Sequence, residues 1–231
     1  MGQINKFEEL IEHMHFLEQL SVKVHGLKEE EDIYQLINDH FKAAGKYTVG
    51  LLMLTGEGDR LRIITSLDHG NIQKVEKLVG TRFSNYHIDL NKSTIYSQVV
   101  RDGRTIQTKS LDIIKELFPS PLARVATRAL GLENNFPIIT PVAVDGEIIG
   151  ALSINSCHLA SYLIPTVKNF ALHISTAVKF VRERKKRMAA EKKLKDMAYY
   201  DGLTSLPNRT LFMDRAKIAL RLAGRGRDMW Q

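Results

Sequence analysis

A hairpin signal in the second half of the chain constrains the fold more than any other feature of the sequence. Two runs rich in β-branched residues, Asn135–Val144 and Glu147–Ile154, are separated only by Asp145 and Gly146. An Asp-Gly pair readily adopts the positive φ angles of a two-residue turn, so the runs are predicted to pair as antiparallel strands. Pro141 cannot donate to a strand ladder, and we expect it at a bulge or on an edge.

The region before this hairpin carries a second hairpin signal and two amphipathic helices. Apolar residues recur at intervals of three and four over 5–23 and 30–44, which predicts a helix in each. Two apolar runs, 47–54 and 60–67, flank a turn with two glycines and predict a second antiparallel hairpin. Weaker patterns predict helices at 71–78, 93–102, 111–118 and 123–130, and strands at 83–90 and 105–108.

These elements imply an α+β fold, an antiparallel sheet with helices packed on both faces. The weakly patterned middle, residues 68–134, is expected to supply loops and short helices over one face of the sheet. A small-molecule pocket is expected there, since ligand sites favour loops and concave surfaces. The candidate lining residues flank or cover this open face: Tyr86, His87, Ser93, Tyr96, Lys115, Phe118 and Asn155.

The hairpin over residues 135–154 also resembles part of a known family. Its proline between apolar residues, its Asp-Gly turn and the string Ile148-Ile149-Gly150-Ala151-Leu152 are similar to the last hairpin of GAF domains. The order of elements is similar to that family over about residues 20–180. The resemblance implies a cytoplasmic sensor that binds a small ligand and forms a homodimer through its terminal helices. The ligand stays unknown, and the Asn-Lys-Phe-Asp-Glu pattern of the cyclic-nucleotide-binding members is not found.

A long helix is predicted from about Tyr162 to Tyr199, because no helix breaker follows Pro165. Its apolar residues have the three-and-four spacing of a coiled-coil seam, which favours a parallel helix pair between two copies of the chain. The pattern weakens at Arg184 and resumes out of phase at Ala190, as in a stutter. The alternative is a helix that packs on its own domain and ends in a charged segment. The predicted seam residues are Val167, Phe170, Ile174, Ala177 and Val181.

The segment that follows this helix resembles the opening of GGDEF domains, which make cyclic di-GMP. The matching positions are Asp201, Leu203, Thr204, Leu206, Pro207, Asn208 and Arg209. Members of that family hold Mg²⁺ and GTP with carboxylates on later strands and on a Gly-Gly-Asp/Glu-Glu-Phe hairpin, which this sequence lacks. The resemblance therefore implies a truncated cyclase domain, without enzymatic activity or a cofactor of its own. The full-length parent is expected to be a diguanylate cyclase whose missing portion uses Mg²⁺ and GTP.

Charge is unevenly distributed along the chain. Residues 181–231 hold 14 Lys and Arg against 6 Asp and Glu, a net charge of +8, whereas the first 180 residues carry −1. A basic tail can indicate nucleic-acid binding, but no aromatic or base-reading pattern is interleaved here, so we interpret it as a solvated connector without a specific nucleic-acid partner. No apolar run approaches the ~20 residues of a membrane span, and no secretory signal is present. A cytoplasmic protein without a membrane partner is expected.

The sequence thus predicts four parts: an N-terminal helix (1–25), a GAF-like sensor domain (26–180), a signalling helix (181–198) and the truncated start of a GGDEF domain (199–231). We expect the chain to bind a small ligand and to transmit its state through a dimeric helix to a cyclase. One alternative is a ligand-free GAF domain that serves as a dimerisation scaffold. Another is an enzyme or nucleic-acid-binding protein that uses the basic tail.

Overall fold

The chain divides into two compact units, residues 1–181 and 182–231, in the computed structural model. The structure describes residues 2–45, 47–56, 58–64, 76–77, 86–156, 159–202 and 204–225. Most of the predicted helix at 71–78 and the end of the predicted strand at 60–67 lie outside these residues. None of the helices in the described ranges is long and apolar enough to cross a membrane.

The first unit contains a six-stranded antiparallel sheet and helices. The elements are α1 (Gly2–Val24), α2 (Glu30–Ala44), β1 (Thr48–Leu54), β2 (Arg60–Ile63), β3 (His87–Asp89), α3 (Thr94–Val100), β4 (Ile106–Gln107), α4 (Ser110–Leu117), α5 (Ser120–Ala129), β5 (Ile138–Val144), β6 (Glu147–Asn155) and α6 (Ile164–Tyr199), of which α6 continues into the second unit. The strand order in the sheet is β3-β2-β1-β6-β5-β4. Both predicted hairpins, β1–β2 and β5–β6, are confirmed, and pairing of β1 with β6 joins them into one sheet.

The turn between β5 and β6 has the geometry that its residues predict. Asp145 and Gly146 have φ angles of 54° and 85°, as a type I′ turn requires. Pro141 lies in β5, but β4 pairs only with Ile138 and Ile139 of that strand. On its β4 side, the proline therefore lies where no ladder donor is needed, which explains how the strand accommodates it.

One face of the sheet packs against α1, α2 and the first half of α6. Side chains alternate between the two faces along a strand. In β1, Val49 and Leu51 accordingly point to the helices, and Gly50 lies on the opposite face. Phe41 of α2 and Phe170 of α6 meet in this core with ring centroids 6.1 Å apart. The opposite face carries a second apolar cluster formed with α3 and α4. The expected α+β architecture with helices on both faces is confirmed.

The residues predicted to form a seam between two copies of the chain lie in the first of these cores. Val167, Phe170, Ile174, Ala177 and Val181 are each at most 2% exposed and pack with the sheet and with α1 and α2. A side chain that is buried in its own domain cannot also contact a second copy, so the predicted seam is wrong. Over this stretch, the alternative interpretation of the periodicity is correct, because the helix packs on its own domain.

The second unit contains the rest of α6, a short turn and α7 (Arg209–Arg225). From residue 183 to residue 200 every side chain is exposed. In the turn, Asp201 Oδ1 accepts hydrogen bonds of 2.9 Å from both the amide and the hydroxyl of Thr204. These bonds form a local loop closure of the type that Asp favours.

Asn208 joins the two helices of this unit. Its Oδ1 accepts a hydrogen bond of 3.0 Å from the Leu211 amide and so caps the N-terminus of α7. Its Nδ2 donates to the Ala198 carbonyl at 2.8 Å, which satisfies a group at the C-terminus of α6. The polar residues of the 201–209 motif thus hold a defined reversal between two helices. Leu203 lies outside the described residues.

Candidate ligand-binding cavity

A cavity of about 100 Å³ lies between the second face of the sheet and the short helices that cover it. Strands β1, β2, β3 and β6 supply its floor, while α3, α4 and the segment after α5 supply its walls and roof. Its lining residues are Gly50, Leu52, Ile63, Ile88, Tyr96, Ser110, Ile113, Ile114, Leu117, Phe118, Leu130, Leu132, Pro137, Ser153 and Asn155.

The floor of the cavity leaves space above the sheet because two small residues lie side by side there. Gly50 of β1 and Ser153 of β6 are directly paired across the ladder. A Cβ atom added at Gly50 would make only ordinary contacts, the nearest 3.7 Å from the Ser153 Cβ. Because glycine in a strand costs about 0.5–1 kcal/mol relative to alanine, this glycine weakens the strand without relieving any clash. What it provides is space above the sheet, and a strand glycine often marks close approach of a ligand.

The roof is anchored to α3 through a carboxylate. Glu116 of α4 accepts a hydrogen bond of 2.6 Å from the Ser93 hydroxyl and one of 3.1 Å from the Ile95 amide. The Ser93 oxygen in turn accepts from the Tyr96 amide at 3.2 Å, so Ser93 is the N-cap of α3. Hydrogen bonds to a charged acceptor are stronger than neutral ones, and this group fixes α4 over the cavity.

A tyrosine holds the other end of the roof. Tyr86 donates a hydrogen bond of 2.6 Å to the Leu117 carbonyl, and its ring lies against Phe118 with centroids 5.4 Å apart. Tyr86, the residue directly before β3, is thereby tied to the end of α4. Two sets of directional contacts, in addition to apolar packing, thus hold the roof of the cavity in place.

Polar groups are concentrated where β6 ends. Ser110 and Asn155 are 3% and 6% exposed, and the Ser110 hydroxyl donates to Asn155 Oδ1 at 3.2 Å. Asn155 Nδ2 and the Ser153 hydroxyl make no hydrogen bond to a described residue, and Ser153 is only half-buried. Neither atom is among the fully buried polar atoms of the described residues that have no partner, so water or a ligand in the cavity can bond to both.

Tyr96 adds a neutral hydroxyl to the cavity wall. Burial raises the pKa of Tyr96 above its ordinary value of 10.0, and the nearby Glu116 carboxylate raises this pKa further. The phenol therefore stays protonated at physiological pH. None of the described residues that line the cavity carries a charge.

The structure separates the seven residues predicted to line a pocket into three groups. Tyr96, Phe118 and Asn155 line the cavity. Tyr86 and Ser93 hold the roof from behind, as described above. His87 is exposed on β3, and Lys115 is exposed on α4, where it pairs with Asp112 at 3.4 Å.

Sequence reasoning did not identify the aliphatic part of the lining. Ile113, Ile114 and Leu117 come from one face of α4 and look like ordinary core residues in the sequence. Among the lining residues that were not predicted, Gly50 could have been found, since a glycine inside the otherwise apolar run 47–54 often marks close approach of a ligand. The described residues contain no group of three or more His, Cys, Asp or Glu side chains that could hold a metal ion.

Neither protein-family models nor curated proteins give a match to the sequence. Solved structures do match the fold. The GAF domain of nlh2 from A. aeolicus in an inactive state has a TM-score of 0.52 at 15% identity, covering 74% of this chain and 97% of that chain. The GAF domain of a phosphoenolpyruvate-protein phosphotransferase from Coxiella burnetii has a TM-score of 0.51 at 17% identity, covering 77% and 98%.

An enzyme shares the same architecture. The free methionine-R-sulfoxide reductase from Neisseria meningitidis, in complex with its substrate, has a TM-score of 0.54 at 16% identity and covers 76% of this chain and 93% of that chain. At such identities the likeness concerns the fold alone. The first unit of this chain has the fold of a GAF domain.

Proposed function

We propose that this chain is the sensory part of a cyclic di-GMP signalling protein. A small ligand binds in the cavity over the sheet, two copies of the chain associate through their terminal helices, and α6 passes the ligand state to a GGDEF diguanylate cyclase domain. The observation that carries this proposal is the cavity itself, with its anchored roof, its glycine floor and the polar side chains of Ser153 and Asn155 in its lining.

The strand β6 is suited to couple the cavity to α6. Ser153 and Asn155 face the cavity, whereas Leu152 and Ile154, which alternate with them, pack in the core that α6 shares. A ligand that displaces β6 therefore changes the packing surface under α6. The ligand can shift the balance between two arrangements only by its differential affinity for them.

The β5–β6 hairpin is also bonded directly to α6. The Ala143 amide donates a hydrogen bond of 3.1 Å to the Ser175 hydroxyl, and Lys179 forms an ion pair with Asp145 at the hairpin turn. The ion pair is solvent-exposed and contributes little stability. Its value for the proposal is geometric, since it ties the end of the hairpin to the helix.

For the dimer, we propose the side of α6 that faces away from the core. Leu172 and Phe180 are 62% and 58% exposed, and Thr176 lies between them at a spacing of four residues, so the three share one side of the helix. Val22 near the end of α1 is also exposed. These apolar residues replace the incorrectly predicted seam as candidates for contact between copies.

The proposed cyclase output rests on the resemblance of residues 201–209 to the opening of GGDEF domains. The hydrogen bonds of Asp201 and Asn208 support a fixed connection between the end of α6 and the start of α7. Such a connection is what a rotating or shifting helix needs in order to move the domain that follows it.

Mass spectrometry of molecules that co-purify with the chain tests the sensory function. We expect a small molecule to be released on denaturation of the wild-type protein and to be absent from Gly50→Val, whose side chain fills the cavity. Returned at 100 times its Kd, it stabilises the fold by about 2.7 kcal/mol. If nothing co-purifies and no compound of a metabolite panel raises the Tm, the domain is a scaffold rather than a sensor.

The alternative function, a ligand-free dimerisation scaffold, is favoured by the small size of the cavity. A water molecule needs roughly 10–15 Å³ of such volume, so the 100 Å³ present can hold several waters without any ligand. Sedimentation of Leu172→Glu/Phe180→Glu, with Asn134→Glu on an exposed loop as control, tests the dimer that both functions share. We expect the double variant alone to be monomeric, and a dimer that persists in it excludes this surface.

A further inference from the structure

We infer that the ligand of this cavity is a small, uncharged, mainly apolar molecule that presents one hydrogen-bond acceptor, such as a carbonyl oxygen, to the Asn155 Nδ2 group. The inference rests on the proposed function, since it names the chemical class that the cavity selects. It is carried by the size of the cavity, the absence of charge in its described lining, and the position of its hydrogen-bond donors.

Size excludes the larger classes of signalling ligand. Pockets for drug-sized molecules occupy roughly 300–1,000 Å³, whereas this cavity measures about 100 Å³. A nucleotide, a tetrapyrrole or a flavin is larger than this volume. At roughly 10–15 Å³ for each water-sized group, a molecule of about seven to ten non-hydrogen atoms fills the volume, and a smaller one fits within it.

Charge excludes anions and cations of the same size. The described lining contains no Lys, Arg, His, Asp or Glu side chain, and burial of an unpaired ion is very costly. The Glu116 carboxylate, on the helix that forms the roof, already accepts from the Ser93 hydroxyl and the Ile95 amide. Its charge is felt at Tyr96 in the cavity wall, which further disfavours a carboxylate or phosphate.

The polar end of the lining selects an acceptor. Asn155 Oδ1 is occupied by the Ser110 hydroxyl, which leaves Nδ2 as the available group of this buried side chain. An amide nitrogen donates and does not accept. The Ser153 hydroxyl lies two residues away on the same face of β6 and can add a second donor. Opposite these groups the lining is aliphatic, with Ile113, Ile114 and Leu117 of α4.

Probes of similar shape, with five to seven non-hydrogen atoms, test the class directly. Ligand-observed NMR on the full chain compares cyclopentanone, cyclopentane, cyclopentylammonium and cyclobutanecarboxylate. We expect cyclopentanone to bind most tightly, cyclopentane more weakly, and the two ions at least tenfold more weakly than the ketone. Equal binding of either ion overturns the inference, as does the absence of binding by both uncharged probes.

Two variants locate the interaction. Asn155→Leu keeps the size of the side chain but removes the donor, and we expect it to weaken cyclopentanone about tenfold, the effect of one hydrogen bond, while cyclopentane binds as before. Asn134→Leu, on an exposed loop residue, is the control and should change neither. Gly50→Val should abolish binding of both probes. It does not depend on a buried polar substitution, so it stays informative if Asn155→Leu fails to fold.

The outcomes separate the inference from the proposed function. A co-purifying ion that Gly50→Val eliminates leaves the sensory function standing and refutes the ligand class. Retention of cyclopentanone by Asn155→Leu with unchanged affinity refutes the assigned donor. Loss of the ketone preference in Asn155→Leu, with cyclopentane binding retained, supports both the class and the donor.

Discussion

Replacement of Ile174 by alanine is expected to destabilise the first unit by about 3–4 kcal/mol. The side chain is completely buried in the core that α6 shares with α1, α2 and the sheet. Removal of three carbon atoms forfeits about 2.4 kcal/mol at roughly 0.8 kcal/mol per methylene group. The cavity left behind adds to this loss, and measured costs for such changes span about 2–5 kcal/mol.

The size of the effect can be read from thermal unfolding followed by circular dichroism. For a domain of this size about 1 kcal/mol corresponds to 2–4 °C in Tm, so we expect a decrease of about 6–16 °C. The decrease in Tm should be the same at about 5 μM and about 100 μM protein, because a contact inside one chain does not depend on protein concentration. The exposed Asn169→Ala on the same helix is the control and should stay within about 0.5 kcal/mol of wild type. A decrease that vanishes at the higher concentration would mean that Ile174 lies between copies, and the assignment of this helix face to the core would be refuted.

Three further predictions concern the sheet, the roof and Tyr96. Gly150→Ala places a Cβ against the Leu52 carbonyl and should cost about 1–3 kcal/mol in urea unfolding, whereas Gly56→Ala, which meets open space, should not; equal stability of the two variants contradicts the packing described. Glu116→Ala removes the carboxylate that accepts from the Ser93 hydroxyl and the Ile95 amide, and it should lower the free energy of unfolding by about 2 kcal/mol. The control Glu133→Ala removes an exposed ion pair and should cost less than about 1 kcal/mol. A larger loss of stability in the control than in Glu116→Ala excludes the anchoring role of Glu116. The pKa of Tyr96 is raised above 10.0 in the folded state. Above pH 10 the unfolded chain releases this proton while the folded chain keeps it, so stability that is fully present below pH 10 is lost as the pH rises. Tyr96→Phe should therefore show a smaller decrease of Tm than wild type between about pH 9 and 11, and parallel Tm curves would argue against this shift.

The local elements could be predicted from the sequence because their signals are local. The Asp145-Gly146 turn and the apolar periodicity of 30–44 each depend on neighbours in the chain, and both appear as predicted. The sheet order could not be derived in this way. Pairing of β1 with β6 joins residues about 100 positions apart, and no turn or spacing encodes that contact.

The site was predicted in part for the same reason. Asn155 and Tyr96 were candidates because a polar or aromatic residue near an open sheet face attracts notice, and both line the cavity. The isoleucines of α4 gave no such signal, since an apolar residue in a ligand cavity and one in a core have the same pattern.

The seam prediction failed on a related ambiguity. A spacing of three and four residues shows that one side of a helix is buried but not what buries it. In α6 the buried side belongs to the first unit and ends at Val181, beyond which the side chains from Glu183 onward are exposed. The shift in phase of the apolar pattern at Ala190 therefore falls in a part of α6 whose side chains are exposed.

The central claim is that the cavity over the second face of the sheet is a ligand site, and methyl NMR of isoleucine-labelled protein tests it most directly. On addition of cyclopentanone, we expect the methyl signals of Ile63, Ile88, Ile113 and Ile114, which line the cavity, to shift in a saturable way. Those of Ile33, Ile37 and Ile174, in the core on the other face, should change little. Shifts confined to the second group, or no saturable shift in the first, would contradict the account.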